Sequence, residues 1–510
     1  MLTKNEINAP YLDVAEQSPH GLSSSTQTLG IFAVAVGAMA FSPLLNVMGA
    51  PFAVGVLSLV AVAIASVVPA WMPSIAVIVL LFQNVFVSIF SPLIPDPATL
   101  DFIKGYNFLI CSVFWLTTFF YFLMGQRNQS APVRRLMLHG NVVISLVSLY
   151  FAYGYLQNGF AAAVYLRNII LPVFVFQTAL LTSATFEIRA TPTLVAIAIV
   201  FFICGYIELT FRDFWLYLTN GGTYWGFDEI KAAATGSWER EMRLTGHVPV
   251  DFLEKFKTSF LNTPLLDGFG LSDIYRILGP NTAAIGYAYG VCFFELFLFS
   301  VGRPLLAVLA LPLAILCGVK GALVMMLFVL GSWLATFLIG AAATLWLGLA
   351  GLIAYLGFGL RVGLQIGDFH VIGFMGGWDG FLQSPFGRGL GSGGNLSDDF
   401  GLIDWGAAQR AGKVDGAVES SVGVLLYQMG IAAFAVLGFY FSIGVRVWRI
   451  FATSGILAQG HAAFAIFVVL VNGVFQEEAL FAPPAMGLVM CLAGLVLGNA
   501  IRTKSDTQEI

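Results

Sequence analysis

The sequence predicts an all-α protein, a polytopic transmembrane helical bundle of about fourteen spans, with both termini cytoplasmic and two large polar loops on the outer face. Three observations lead there. Of 510 residues, 58% are hydrophobic and only 10% charged, whereas soluble domains carry about 25% charged residues. Apolar runs of about 20 residues, the length needed to cross a hydrocarbon core, recur along the chain. Arginine and lysine collect in short connections that fall on one side when the spans are counted off.

Taken in order, residues 1–28 are a polar tail of mixed charge. No basic region leads straight into a short apolar stretch with a small-residue cleavage site, so the tail reads as an uncleaved cytoplasmic segment. Spans 1–7 occupy 29–210, near 29–49, 51–71, 74–94, 106–125, 141–157, 161–183 and 191–210. A first polar loop fills 211–280. Spans 8–11 occupy 281–360, near 281–301, 304–319, 321–338 and 340–360, with the divisions inside 304–360 the least sharply marked. A second polar loop fills 361–420, spans 12–14 lie near 421–444, 461–476 and 482–501, and 502–510 is the closing tail.

Counted this way, Arg127, Arg134 and Arg135, then Arg189, Arg303, Arg446 with Arg449, and Arg502 with Lys504 share one side. The positive-inside rule makes that side the cytoplasm. The same parity puts both long loops together on the opposite face. Net charge is −4, too slight to bear on acidic or nucleic-acid partners, and no nucleic acid is expected. Cys111, Cys204, Cys292, Cys317 and Cys491 all sit in apolar runs without a CxxC pair or zinc spacing, and read as packing residues.

Connections between helices ordinarily run about 4–6 residues, so loops this long are where chemistry is sought. The first carries Arg212, Lys231, Arg240, Arg243, Lys255, Lys257 and Arg276, and its stretch DFLEKFK (251–257) reads either as an amphipathic helix on the membrane surface or as a solvated helix. The second contains Ser384-Pro385-Phe386-Gly387-Arg388-Gly389-Leu390-Gly391-Ser392-Gly393-Gly394-Asn395. Such glycine density frees backbone N–H groups to converge on an anion, with Arg388 adding a bidentate charge; the alternative is that the glycines serve only turns. No GK[ST] follows, so this is not a Walker motif.

Ionisable residues inside spans are functional candidates by default. Arg167 and Lys320 fall near the outer ends of their spans, where each points into a cavity under the loops or snorkels to the interface. Glu295 lies deeper and reads as a protonated or paired packing residue. Glu477 and Glu478 read as wetted loop carboxylates, and Asp398-Asp399 as a solvated pair. No carboxylate cluster demands a metal, and no metal or other cofactor is expected. Trp215, Trp225, Trp378 and Trp405 suit stacking on sugar rings or an interfacial belt equally.

Four local patterns, in order, resemble the O-antigen ligase and polymerase family of bacterial envelope enzymes, which includes Wzy-type polymerases. Arg276-Ile277-Leu278-Gly279-Pro280-Asn281 resembles an arginine-glycine-proline-asparagine signature preceding a span. Val319-Lys320-Gly321-Ala322 stands where the family has Ser-Arg-Gly. His370 through Gly391 resembles a basic residue, an amphipathic helix, then a Ser-Pro and glycine run. Glu419-Ser420-Ser421, followed by Tyr427-Gln428-Met429-Gly430-Ile431, is similar to an acidic residue or histidine followed by Gly-Ile. These motifs cover mainly 276–435.

The resemblance implies a GT-C-like membrane glycosyltransferase of the bacterial inner membrane, joining oligosaccharide units carried on undecaprenyl pyrophosphate at the periplasmic face by an inverting displacement. It implies Arg276, Lys320, Arg388 and Arg167, with Gly389 and Gly391, as the pyrophosphate-binding set, and Glu419, His370 and Arg276 as catalytic residues, the base being Glu419 or His370. Its partners would be the lipid-linked oligosaccharide and membrane lipid, with a flippase and a chain-length regulator as candidate protein partners. Three positions depart from the pattern. Lysine replaces arginine at 320, which keeps charge but loses the planar fork. His370 stands where many members have arginine. Glu419 stands where ligases have histidine, favouring a polymerase over a ligase. A transporter or flippase is the alternative of a different class; it would show paired, interrupted repeats, and none relates the two halves. A non-enzymatic assembly scaffold is the third reading.

Overall fold

The computed structural model describes residues 24–125, 129–234, 256–260, 268, 274–397 and 400–508. Asp398-Asp399, Arg127, Arg240, Arg243, Lys255 and most of the DFLEKFK stretch lie outside them; Lys257, at its end, forms strand rather than helix. The described residues are 84% helical.

The chain runs through α1 (Ser24–Val47), α2 (Ala50–Val67), α3 (Met72–Ile89), α4 (Pro97–Lys104), α5 (Tyr106–Met124), α6 (Ala131–Asn158), α7 (Phe160–Thr185) and α8 (Ala190–Thr210). Next come α9 (Arg212–Leu218), α10 (Gly221–Ala234) and the antiparallel pair β1 (Lys257–Thr258) with β2 (Ile274–Tyr275). There follow α11 (Ala284–Ser300), α12 (Pro304–Leu316), α13 (Lys320–Ile339), α14 (Ala341–Ile366), α15 (Phe369–Gln383) and α16 (Trp405–Ala411). The chain closes with α17 (Ser421–Met429), α18 (Ala433–Ser454), α19 (Leu457–Phe475), α20 (Glu478–Phe481) and α21 (Leu488–Gln508).

Among the described residues, twelve helical segments are long and apolar enough to cross a bilayer, the α17–α18 stretch Ser421–Ser454 counting as one. The protein is a multi-pass helical membrane protein. Each of the fourteen apolar runs falls on a helix, but α11 and α12, with 17 and 13 residues, are shorter than the other twelve segments.

Helix continues where the apolar signal stops. α14 runs on past Arg361 to Ile366 and ends at Gly367, whose left-handed φ of 65° suits glycine. Directly after Gly367, Asp368 caps α15, its Oδ1 accepting from the N–H groups of His370 (3.0 Å) and Val371 (3.2 Å). Likewise, residues 211–234, directly after α8, are largely helical, in α9 and α10.

The fold divides into two compact units, Met1–Thr117 with Ile188–Ala322 and Thr118–Glu187 with Leu323–Ile510. In the first, α3 and α11 are buried along most of their lengths. In the second, α7, α19 and α21 form the buried centre, with α21 laid along α7 where Gly494 and Gly498 leave room for its backbone.

Candidate functional site

Within the second unit, the sequence-selected His370 and Glu419 meet. His370 occupies the first turn of α15, fixed by the Asp368 cap. Its Nδ1 lies 3.3 Å from Glu419 Oε2 and 3.1 Å from the Glu419 carbonyl oxygen. Both partners accept, so Nδ1 carries the proton. Glu419 has φ 58°, in the left-handed region, which costs a non-glycine residue roughly 1–2 kcal/mol. That conformation is held on both sides. The Glu419 N–H donates to Asn395 Oδ1 at 2.9 Å. The next residue, Ser420, caps α17 by accepting from the Gly423 N–H at 3.1 Å and donates to the Gly473 carbonyl of α19 at 3.2 Å.

Burial alone would lower the His370 pKa. The Glu419 carboxylate overrides it by hydrogen bond and charge, with Asp368 adding to the pull, and raises it to about 9. At neutral pH the pair is therefore imidazolium and carboxylate. His370 Nε2 and Glu419 Oε1 have no partner among the described residues.

Arg388 lies in the same unit. Its Nη1 donates to the Gly380 carbonyl of α15 at 2.7 Å, and its guanidinium sits 4.2 Å from the centroid of the Tyr427 ring of α17. Its remaining N–H groups have no partner among the described residues, so a stacked, half-buried fork is left to meet an anion. The glycines beside it have a steric reason. Gly389 (φ 91°) and Gly391 (φ 83°) press against Gly154 of α6 and Ala162 of α7, where any side chain would overlap backbone. The Gly389 N–H donates to the Gln428 carbonyl at 2.9 Å, and the Leu390 N–H to the Tyr150 carbonyl at 3.1 Å. The Gly389 donor is thus used inside the fold rather than offered to a ligand. Arg167, on α7, is half-buried and donates from Nε to Asn168 Oδ1 at 3.1 Å.

Glu477 differs from its sequence reading as a wetted carboxylate. It is 5% exposed, accepting from the Tyr165 hydroxyl at 2.7 Å and from the Asn395 N–H at 3.0 Å. Burial raises its pKa to about 7 against the lowering effect of those two bonds, with Glu478 and Glu419 raising it further.

The first unit holds Arg276 and Lys320. Arg276 follows β2, and its Nε donates to the Cys317 carbonyl at 3.1 Å. It lines a small cleft with Arg212, Trp225, Phe256 and Glu208. Arg212 stacks on the Tyr275 ring at 4.2 Å, and the Trp225 and Phe256 rings meet edge to face at 4.7 Å. Glu208, at the end of α8, is 4% exposed and clamps the turn after Arg276, accepting from the N–H groups of Leu278 (3.0 Å) and Gly279 (2.6 Å). Lys320 opens α13 and is exposed. Glu295, 5% exposed on α11, has no hydrogen-bond partner for either carboxylate oxygen among the described residues.

Sequence reasoning missed Glu208 and misread Glu477. Glu208 had a usable signal, an acid in an apolar span, the same rule that singled out Glu295. Glu477 sits in a short connection next to a second acid, and nothing in its spacing foretells burial beneath a loop 80 residues earlier in the chain. Comparison with family models, with curated proteins and with solved structures finds no match.

Proposed function

We propose that this chain is a membrane polysaccharide polymerase of the bacterial inner membrane, joining oligosaccharide units carried on undecaprenyl pyrophosphate at the periplasmic face. The ion pair of His370 and Glu419, set in loops whose motifs resemble the O-antigen ligase and polymerase family, carries the reading. An acceptor sugar hydroxyl attacks the anomeric carbon of the donor, the bond from that carbon to the pyrophosphate oxygen breaks, and the lipid pyrophosphate leaves. One carboxylate takes the hydroxyl proton, and cationic donors receive the charge growing on the pyrophosphate.

The charge states favour one assignment of roles. An imidazole held protonated at neutral pH is a poor base, so Glu419, with Oε1 open, is the base. His370, as imidazolium, and Arg388 are donors to the pyrophosphate. A single displacement inverts the anomeric centre. Arg276 and Lys320 stay in the pyrophosphate-binding set on the resemblance alone. Glutamate at 419, in place of histidine, favours polymerase over ligase.

The test expresses wild type, Arg276→Ala, Lys320→Ala and Glu419→Gln in a host lacking its own polymerase and reads glycan length on gels, with membrane levels matched. Long chains from wild type and single lipid-linked repeats from Glu419→Gln are expected. Long chains from every variant would sink this site. Repeats that never reach the outer face would point instead to a flippase.

A further inference from the structure

The Glu419 and His370 pair is one end of a chain of hydrogen bonds whose other end is buried. Tyr165 of α7 donates to Glu477 Oε1 (2.7 Å), the Asn395 N–H donates to Glu477 Oε2 (3.0 Å), and Asn395 Oδ1 accepts from the Glu419 N–H (2.9 Å). The Leu396 N–H adds a bond to the Tyr165 hydroxyl at 3.3 Å. Gly394, at φ 92°, leaves no room for a side chain between Tyr165 and Glu477. A strained residue persists only where its surroundings over-determine it, and Asn395 provides the bond that holds the Glu419 N–H.

We infer that Glu477 is a positioning residue: through Asn395 it holds Glu419 in the left-handed conformation that turns both its carbonyl and its carboxylate onto His370 Nδ1. This rests on the reading of Glu419 and His370 as the reacting pair, but the geometry is testable without any glycan assay. The titratable groups facing Glu477 are Tyr165 from α7, Glu478 from α20 and Glu419 ahead of α17; those facing His370 are Glu419 and Asp368.

Neutralising Glu477 removes a negative charge from the neighbourhood of the pair, which by itself can only leave or lower the His370 pKa, so Asn395→Ala, which keeps every charge in place, is the variant that isolates position from charge. Loosening of the Glu419 turn lowers that pKa toward the ordinary 6.5. A glutamine also cannot accept at both positions, because one of its termini is a donor.

The experiment measures carbethoxylation of the His370 peptide by diethyl pyrocarbonate against pH, by mass spectrometry, on the full chain in detergent. Only neutral imidazole reacts, so at pH 7 wild-type His370 is on the order of 1% reactive. Glu477→Gln and, as a second variant that cuts the same link, Asn395→Ala should each shift the profile down by about one pH unit and speed modification at pH 7 about tenfold. Glu419→Gln should shift it further. If the Glu419→Gln profile shifts while that of Asn395→Ala stays or moves up, whatever Glu477→Gln does, the positioning role is overturned and the pair stands. If none of the three shifts, the pair fails, and the inference with it. A wild type that makes no long chains overturns the polymerase reading alone and leaves this titration intact.

Discussion

At Glu419 the backbone accepts strain and the side chain gains an imidazolium, and the exchange is pH-dependent. His370 has a folded-state pKa of about 9, above its ordinary 6.5. The stability it contributes is therefore full below about pH 6.5 and is lost as pH rises through 9. The melting temperature of the wild type in detergent should fall by on the order of a few °C between pH 7 and 9.5, and His370→Gln should flatten that limb. Glu477 shifts with the same sign for a different reason. Its pKa is raised from 4.5 to about 7 by burial, so its contribution is present below pH 4.5 and is lost as pH rises through 7. Glu477→Gln should flatten the melting profile between pH 4.5 and 7 and leave the alkaline limb to His370. A profile that keeps its acid limb in Glu477→Gln would mean that another group titrates there.

At the scale of elements, the glycine run is seated by close approach to α6 and α7. A methyl at Gly154 would overlap the backbone of Leu390 and Gly389, whereas one at Gly438 of α18 meets open space. Gly154→Ala should cost about 1–3 kcal/mol, the usual penalty of overpacking, and should displace Arg388 with the loop; Gly438→Ala should be neutral or slightly stabilising. Melting temperatures and glycan length for the two variants check this, and equal behaviour would show that the loop seats without Gly154. The helices themselves were legible in the sequence, because lipid exposure forces about 20 apolar residues into each crossing. The polar stretches were less legible. α15 starts at a break and a cap, Gly367 and Asp368, which act over two or three residues and leave no apolar periodicity, and α9 starts with no side-chain cap at all. The pairing of His370 with Glu419 could be guessed only because both residues were singled out separately. Glu208 and Glu477 act through backbone N–H groups, which no side-chain motif announces.

At the scale of the whole molecule, α11 and α12 decide whether the chain crosses fourteen times or twelve. At 1.5 Å per residue they span about 26 Å and about 20 Å, short of a hydrocarbon core of about 30 Å. Length is a strict requirement only for a helix clothed in lipid. α11 is buried from Gly286 through Leu298, so its ends need only reach protein; α12 packs against it after a tight turn at Gly302 (φ 75°) and Arg303 but exposes Leu305, Val308 and Leu309, so its crossing requires the bilayer to thin around it. That turn carries the arginine that the positive-inside rule assigns to the cytoplasm. Fourteen crossings are therefore the expected outcome, with residue 301 facing inward and residue 413 outward. Both parities place the two termini together, so tagging the termini cannot decide. Single cysteines can: Val301→Cys leaves Arg303 in place, and Lys413→Cys marks the second loop. Four of the five native cysteines are buried, and Cys204→Ser removes the fifth from the background. In intact cells an impermeant maleimide should label position 413 and leave 301 untouched until the membrane is opened. Labelling of 301 from outside would make α11 and α12 a re-entrant pair that never crosses, and Arg303 would then lie on the same face as Arg276.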